Sequence, residues 1–252
     1  MDEMKLYIMN CGSMITPEGN VLASLNTEQL KLVIPVPVYL LVHPVQGLVL
    51  IDTGFRYAYL PDEMKMNIAW SPLQGIRVQI ERLGYDADAV RHVLLSHLHF
   101  DHAGQMTDFP GAVFHMRKSE WEDALPPSRP DYFEADYKDA VSLRFDYIPE
   151  GKDHDIFGDG SVISLATPGH SKGHSSFMIT LPNSGKFLLM MDAAHMPQYM
   201  EETKFFADSK DIPGCIRSVE KLKELRKTCD HVVYGHDPET FSKLRTVPDY
   251  YD

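Results

Sequence analysis

The stretch Ser96-His97-Leu98-His99-Phe100-Asp101-His102-Ala103-Gly104 constrains this chain more than any other. Four side chains able to bind a metal, His97, His99, Asp101 and His102, fall within six residues, directly after the apolar run Val93-Leu94-Leu95. On a helix His97 and Asp101 would share a face while His99 swung to the far side. The spacing therefore fits irregular backbone at a strand end, where all four side chains can converge. A lone histidine on an apolar segment is ordinarily a satisfied core residue, but three histidines and an aspartate this close together reverse that expectation. Neutral imidazole suits zinc and other first-row metals, and carboxylate oxygen suits harder ions. A mixed cluster without cysteine thus points to a catalytic site rather than a closed structural one.

The surrounding pattern is that of an α/β protein. Lys5 to Met9 reads as a first strand, and Leu22, Leu25 and Leu30 beyond it either pack or line a pocket. Val38-Tyr39-Leu40-Leu41-Val42 and Leu48-Val49-Leu50-Ile51 flank the turn Pro44-Val45-Gln46-Gly47, a hairpin whose nearly all-apolar strands are covered on both faces. It ends in Asp52, which either forms a turn or supports metal ligands, since a buried carboxylate needs hydrogen bonds or a nearby cation. The segment from Phe55 to Ser71 is expected to lie over the site as a loop or short helix. Leu73, Ile76, Ile80 and Leu83 recur at helical spacing before Gly84, and the next strand delivers the histidine cluster. Strand, helix and strand in that order place ligands at the carboxyl ends of strands.

Gly111 to Met116 is expected to be a strand with His115 in a structural role. Ser119 is expected to cap a helix, and 126 to 155 to form a surface excursion with His154 solvated. Val162 to Ala166 is a further strand running into Thr167-Pro168-Gly169-His170-Ser171-Lys172-Gly173-His174, followed by a hairpin that ends in Asp192. Asp211-Ile212-Pro213 opens a helix with the stripe Ile216, Val219, Leu222 and Leu225. The last strand begins at His231, read as structural, and ends at His236, the better ligand candidate. The two halves suggest a duplicated sandwich.

Length and charge narrow the partners. A chain of 252 residues can bury one large core, so residues 1–252 are expected to form a single domain. A net charge of −12 argues against nucleic acid and against an anionic membrane surface. Asp2 and Glu3 stand where a secretory signal carries positive charge, and apolar runs such as Phe187 to Met191 are too short to span a bilayer, so a soluble, cytoplasmic protein is expected. Cys11, Cys215 and Cys229 are odd in number and scattered, which suggests reduced thiols.

In chain order, Asp52-Thr53-Gly54, His97-x-His99-x-Asp101-His102, Thr167-Pro168-Gly169-His170, Asp192 and Gly235-His236 resemble the motifs of the metallo-β-lactamase superfamily, over about residues 38 to 236. Within it, the run from Ser96 to Gly104 and the loop from Thr167 to His174 look most like the N-acyl homoserine lactonases. The resemblance implies an α/β fold, an αβ/βα four-layer sandwich of mixed sheets packed face to face with helices outside. It implies two divalent metal ions, zinc first, with manganese, cobalt or iron as alternatives. By position, His97, His99 and His170 would bind one ion, Asp101, His102 and His236 the other, and Asp192 would bridge them. A hydroxide between the ions would attack the ester carbonyl of a small lactone, with Asp101 or Asp192 relaying the proton. Asp52 and His174 would stand behind the ligands and orient them, although His174 has the chemistry to bind metal itself.

One position departs from the lactonase pattern. Three residues beyond the bridging aspartate the lactonases usually carry a tyrosine that contacts the lactone carbonyl, and here the residue is His195. An imidazole N–H can make the same hydrogen bond, Tyr199 is a second candidate for that role, and the change equally fits a different ester. Phe100, Phe205, Phe206, Met64 and Trp70 either line an acyl pocket or belong to the core. The competing activities are hydrolysis of another lactone, ester or thioester, and an RNA-processing nuclease that the acidic charge disfavours. The oligomeric state is open to a homo-oligomer but not fixed by these residues.

Overall fold

Side chains alternate across a strand, and this decides which layer each apolar residue joins. In the computed structural model, which describes residues 4–17, 31–201 and 211–252, strand β2 (Lys31–His43) turns Tyr39 and Leu41 to one face and Val38 and Leu40 to the other, and all four are buried. Leu22, Leu25, Leu30, Phe205 and Phe206 lie outside the described residues. Strand β1 (Lys5–Pro17) runs antiparallel to β2 with Ile8 opposite Tyr39, and reaches well past the five residues expected. The expected hairpin joins β2 to β3 (Gly47–Ile51), with His43 opposite Gly47 and Gly47 at φ 77° in the turn. Strands β4 (Ile68–Ala69), β5 (Val90–Leu94), β6 (Val113–Arg117) and β7 (Arg144–Ile148) complete a seven-stranded sheet of order β4-β1-β2-β3-β5-β6-β7. It is parallel from β3 to β7 and antiparallel elsewhere.

The second sheet has five strands, β8 (His154–Asp155), β9 (Val162–Ala166), β10 (Ser175–Leu181), β11 (Gly185–Leu189) and β12 (His231–Val233), in the order β12-β11-β10-β9-β8. Its inner face meets the first sheet through Phe177, Ile179, Phe187 and Leu189, packed against Ile8, Tyr39, Val49 and Leu94. The helices are α1 (Asp62–Lys65), α2 (Ile76–Arg82), α3 (Phe100–Ala103), α4 (Lys118–Ala124), α5 (Glu134–Tyr137), α6 (Pro197–Glu201), α7 (Ile212–Leu225) and α8 (Pro238–Ser242). Ile76 and Ile80 of α2 cover the outer face of the first sheet, and Val219 and Leu222 of α7 cover that of the second. The result is the four-layer sandwich the motifs implied, with a core between the sheets and one more under each helical layer.

Four local expectations are corrected. The helical stripe from Leu73 breaks at Gly75: Pro72–Gln74 is a separate 3-10 turn and Leu73 is 58% exposed. Ser119 does not cap α4, which starts at Lys118; its hydroxyl instead donates to Glu150 Oε2 at 2.8 Å. Residues 126 to 155 are not a surface excursion, because Arg129, Tyr132, Asp136 and Tyr137 are buried and β7 closes the sheet edge. Arg129 and Tyr132 bond partners far along the chain, the His170 carbonyl and Glu120, and such pairing leaves no periodic trace. His154, expected to be solvated, is half-buried on β8.

Candidate metal centre

The motif residues gather because the strands that carry them end on the same side of the sandwich. Asp52 follows β3, His97 follows β5, His170 sits in the loop after β9, Asp192 follows β11 and His236 follows β12. His97 and Leu98 are irregular, while Asp101 and His102 stand on the single turn of α3, so the cluster is a strand end folded directly into a helix start. His97, His99, His170 and Asp192 form one group and Asp101, His102 and His236 another; within each, one candidate ligand atom per residue lies within 4.8 Å of all the others. Asp192 Oδ2 is 3.3 Å from His170 Nε2 and 3.7 Å from His97 Nε2. Its Oδ1 is 3.2 Å from both His102 Nε2 and His236 Nε2. Asp101 Oδ2 completes the second group at 3.7 Å from His102 and 3.6 Å from His236. One carboxylate therefore faces both groups.

Groups behind the ligands set which ring nitrogen is turned inward. Asp52 Oδ1 accepts the Ser96 N–H, and its Oδ2 accepts the Ser96 hydroxyl and the His102 Nδ1–H, all at 2.7 Å. With its own proton committed to Asp52, Ser96 Oγ accepts from His97 Nδ1 at 2.9 Å. His236 Nδ1 donates to the Pro35 carbonyl at 2.8 Å. In all three rings Nε2 is left facing the site. His174 is oriented the other way: its Nδ1 donates to Thr167 and its Nε2 accepts the Asp192 N–H at 3.1 Å, so it holds the Asp192 backbone and has no lone pair for a cation. The backbone is held under strain at two of these places. Asp52 (φ 59°) and Met191 (φ 50°) are left-handed, a conformation that surrounding structure must enforce in non-glycine residues.

Among the described residues, Nε2 of His97 and His102 and Oδ1 of Asp192 are buried without a hydrogen-bond partner. Burial holds the His97, His99 and His170 rings well below the usual histidine range, so they present neutral donors. At His102 burial pulls the same way, but the Asp192, Asp101 and Asp52 carboxylates outweigh it and hold the ring well above that range; Asp192 and Asp101 raise His236 likewise. Burial opposes ionisation of Asp192, yet His102, His195 and His236 hold it well below the usual carboxylate range. Protons on imidazole thus offset the buried carboxylates, and divalent cations would displace them. The donor set, its orphaned atoms and its charge all fit such ions.

A cleft of about 410 Å³ opens onto these groups, with Asp101, Asp192, His195 and His236 at its floor. Met14, Ile34, Met64, Ile68 and Phe100 give it an apolar wall. His195 Nε2 lies 3.0 Å from Asp192 Oδ2, and Tyr199 packs behind that ring at 5.1 Å, itself only 2% exposed. Of the aromatics left open between pocket and core, Trp70 takes the core side, packed against the first core and stacked on Tyr57 at 4.7 Å, and Phe205 and Phe206 lie outside the described residues. Sequence reasoning missed Arg129, whose Nη1 donates to the His170 carbonyl at 2.7 Å, and Thr53, whose hydroxyl and N–H both reach the His102 carbonyl. Thr53 lies inside a quoted motif and was findable; Arg129 sits in a stretch without local pattern and was not.

The family model for the metallo-β-lactamase superfamily matches residues 33–236. The chain is 33% identical over 268 residues to the N-acyl homoserine lactonase AttM of Agrobacterium fabrum, with 100% of both chains covered. It is 31% identical over 261 residues to the N-acyl homoserine lactonase AiiA of Bacillus thuringiensis subsp. kurstaki, covering 99% of this chain and 100% of that one. Among solved structures, it superposes with a TM-score of 0.87, at 29% identity and over 100% of both chains, on an N-acyl homoserine lactone hydrolase with the product N-hexanoyl-L-homoserine bound at its catalytic metal center.

Proposed function

The chain belongs to the metallo-β-lactamase superfamily, and from that premise we propose that it is a metal-dependent hydrolase that opens the ring of N-acyl homoserine lactones. The observation that carries the reading is Asp192, whose two oxygens each face a separate ligand group at the floor of the cleft. His97, His99 and His170 would hold one divalent ion, Asp101, His102 and His236 the other, and Asp192 both. When bound, the two ions, with zinc the first candidate, supply water acidified towards neutrality and a positive field for the ester carbonyl oxygen.

The chain's own groups do the rest. The apolar wall takes the acyl chain, and Phe100 stands where that wall meets the ligand groups. His195 Nε2–H, which donates to Asp192 Oδ2 at 3.0 Å, would donate to the lactone carbonyl instead once that oxygen is taken up by an ion, and so fix the ester over Asp192. Asp101, with Asp192 beside it, takes a proton from the attacking water and passes it to the ring oxygen. The bond between the carbonyl carbon and the ring oxygen breaks, and the new carboxylic acid ionises and releases a proton. A single hydrolase domain over 1–252 and a cytoplasmic location belong to the same proposal, the latter resting on the odd, scattered cysteines. The net charge of −12 supports a small-molecule partner over a nucleic acid.

The released proton makes a pH-indicator assay the direct test. A panel of N-acyl homoserine lactones, simple lactones, thioesters and β-lactams is expected to show fastest acid release with the acyl homoserine lactones, from a preparation carrying two metal equivalents. No turnover of any lactone by metal-replete protein overturns the reading. The histidine at 195 favours one second reading, an ester of different shape, which faster turnover of a thioester or simple lactone would select.

A further inference from the structure

Glu120 lies in α4, outside every motif, yet it is 0% exposed. A carboxylate so deeply buried is tolerable only where donors fill its lone pairs. Its Oε1 accepts the Leu98 N–H at 3.0 Å and the Tyr132 hydroxyl at 2.9 Å, and its Oε2 accepts the Ser171 hydroxyl at 2.7 Å and the Gly173 N–H at 2.8 Å. Leu98 separates His97 from His99, and Ser171 follows His170. The two oxygens of one side chain therefore grip the two loops that supply all three histidines of one ligand group, one loop from each sheet. The approach is close enough to exclude a side chain at residue 173, where a Cβ would lie 2.6 Å from the Glu120 backbone nitrogen. The Tyr132 ring also packs on His99 at 4.9 Å. Among the described residues, no donor to Glu120 adjoins Asp101, His102 or His236.

We propose that Glu120 is a positioning residue for the three-histidine group, holding the loops of His97, His99 and His170 in register so that their ring nitrogens converge before a cation arrives. The inference rests on the metal reading above. Glu120→Gln keeps the shape but turns an N–H₂ towards a backbone N–H on one of the two loops, since Leu98 and Gly173 can only donate. Tyr132→Phe removes one donor and leaves both loops bonded.

Zinc stoichiometry and stepwise affinities by chelator competition, the visible spectrum of the cobalt-loaded protein, and the melting temperature of the metal-free protein separate positioning from general stability. Wild-type protein is expected to bind two equivalents. Glu120→Gln should weaken one affinity by about 10–100-fold and leave the other within about threefold, with loss of one component of the cobalt spectrum. Tyr132→Phe should keep both affinities. Equal weakening of both sites in Glu120→Gln, or of neither, overturns the proposal. A wild-type protein that binds no zinc instead removes the metal reading beneath it. Should Glu120→Gln fail to fold, Ser171→Ala takes its place; an about two- to tenfold weakening of one site alone is then expected, and an unchanged or equal response of both sites counts against the proposal.

Discussion

At His102 the decisive fact is which ring nitrogen carries the proton. Asp52 Oδ2, 2.7 Å from Nδ1, fixes it there and leaves Nε2 for the site, while Ser96 passes the same constraint on to His97. Asp52→Ala removes both constraints. It is expected to weaken zinc binding about 10–100-fold, read by chelator competition, and to lower kcat/KM in proportion at subsaturating metal. His195 poses a different question, because it touches Asp192 but faces the cleft. His195→Phe is expected to lower kcat/KM for an acyl homoserine lactone by about 10–100-fold, the worth of one hydrogen bond to a group developing charge, with metal content retained. Unchanged turnover would leave His195 no part in holding the substrate.

Among elements, the ends of β11 and β12 act as one piece. Gly235 N–H donates to the Ala194 carbonyl at 3.1 Å and His236 N–H to the His195 carbonyl at 3.0 Å, so His195 and His236 share a short ladder beyond the sheet, just after Asp192. A Cβ on Gly235 would sit 2.4 Å from the Met191 carbonyl oxygen, next to a residue already held left-handed. Gly235→Ala is therefore expected to cost about 1–3 kcal/mol, seen as a lower melting temperature, and to release metal as Asp192 shifts. Helix α5 carries the opposite kind of tension. Burial pushes the Asp136 carboxyl up to about 7, partly opposed by Arg56, and its Oδ1 has no hydrogen-bond partner among the described residues. A raised carboxyl contributes stability that is fully present below its unfolded pKa near 4 and is lost as pH climbs through about 7. Asp136→Asn should remove that loss, leaving a variant that melts higher than wild type at pH 8 and no higher at pH 4; equal differences at both pH values count against it.

Across the whole molecule, the proposed ligands come from both sheets, so bound metal would tie two layers together. His97 to His102 hang from the seven-stranded sheet, and His170, Asp192 and His236 from the five-stranded one. Each ion at 100 times its dissociation constant adds about 2.7 kcal/mol to folding, so two add about 5.4 kcal/mol. Since a kcal/mol is worth roughly 2–4 °C in a chain near this size, chelation should lower the melting temperature by roughly 10–20 °C in one cooperative step. A transition split in two would mean that the sheets unfold separately. The layers themselves were legible because a strand's alternation is local: Val38 to Val42 announces burial on two faces without reference to anything else in the chain. The ligands were legible because few residue types bind a cation, and His97, His99, Asp101 and His102 crowd into one turn of chain. Glu120 and Arg129 were not, since a buried charge is recognisable only by its partners, and theirs lie on other segments. Nor could the Pro35 carbonyl that orients His236 be read, 201 positions away and a backbone atom that every residue possesses. The sequence by itself determined the buried strands and the His97–His102 donor cluster, which follow from residue type and spacing, and, through the resemblance those motifs carry, the layers and the remaining donors. Only the tertiary structure decided which nitrogen of each ring faces inward and which carboxylate holds the loops, because those are matters of distance between segments that no local pattern records.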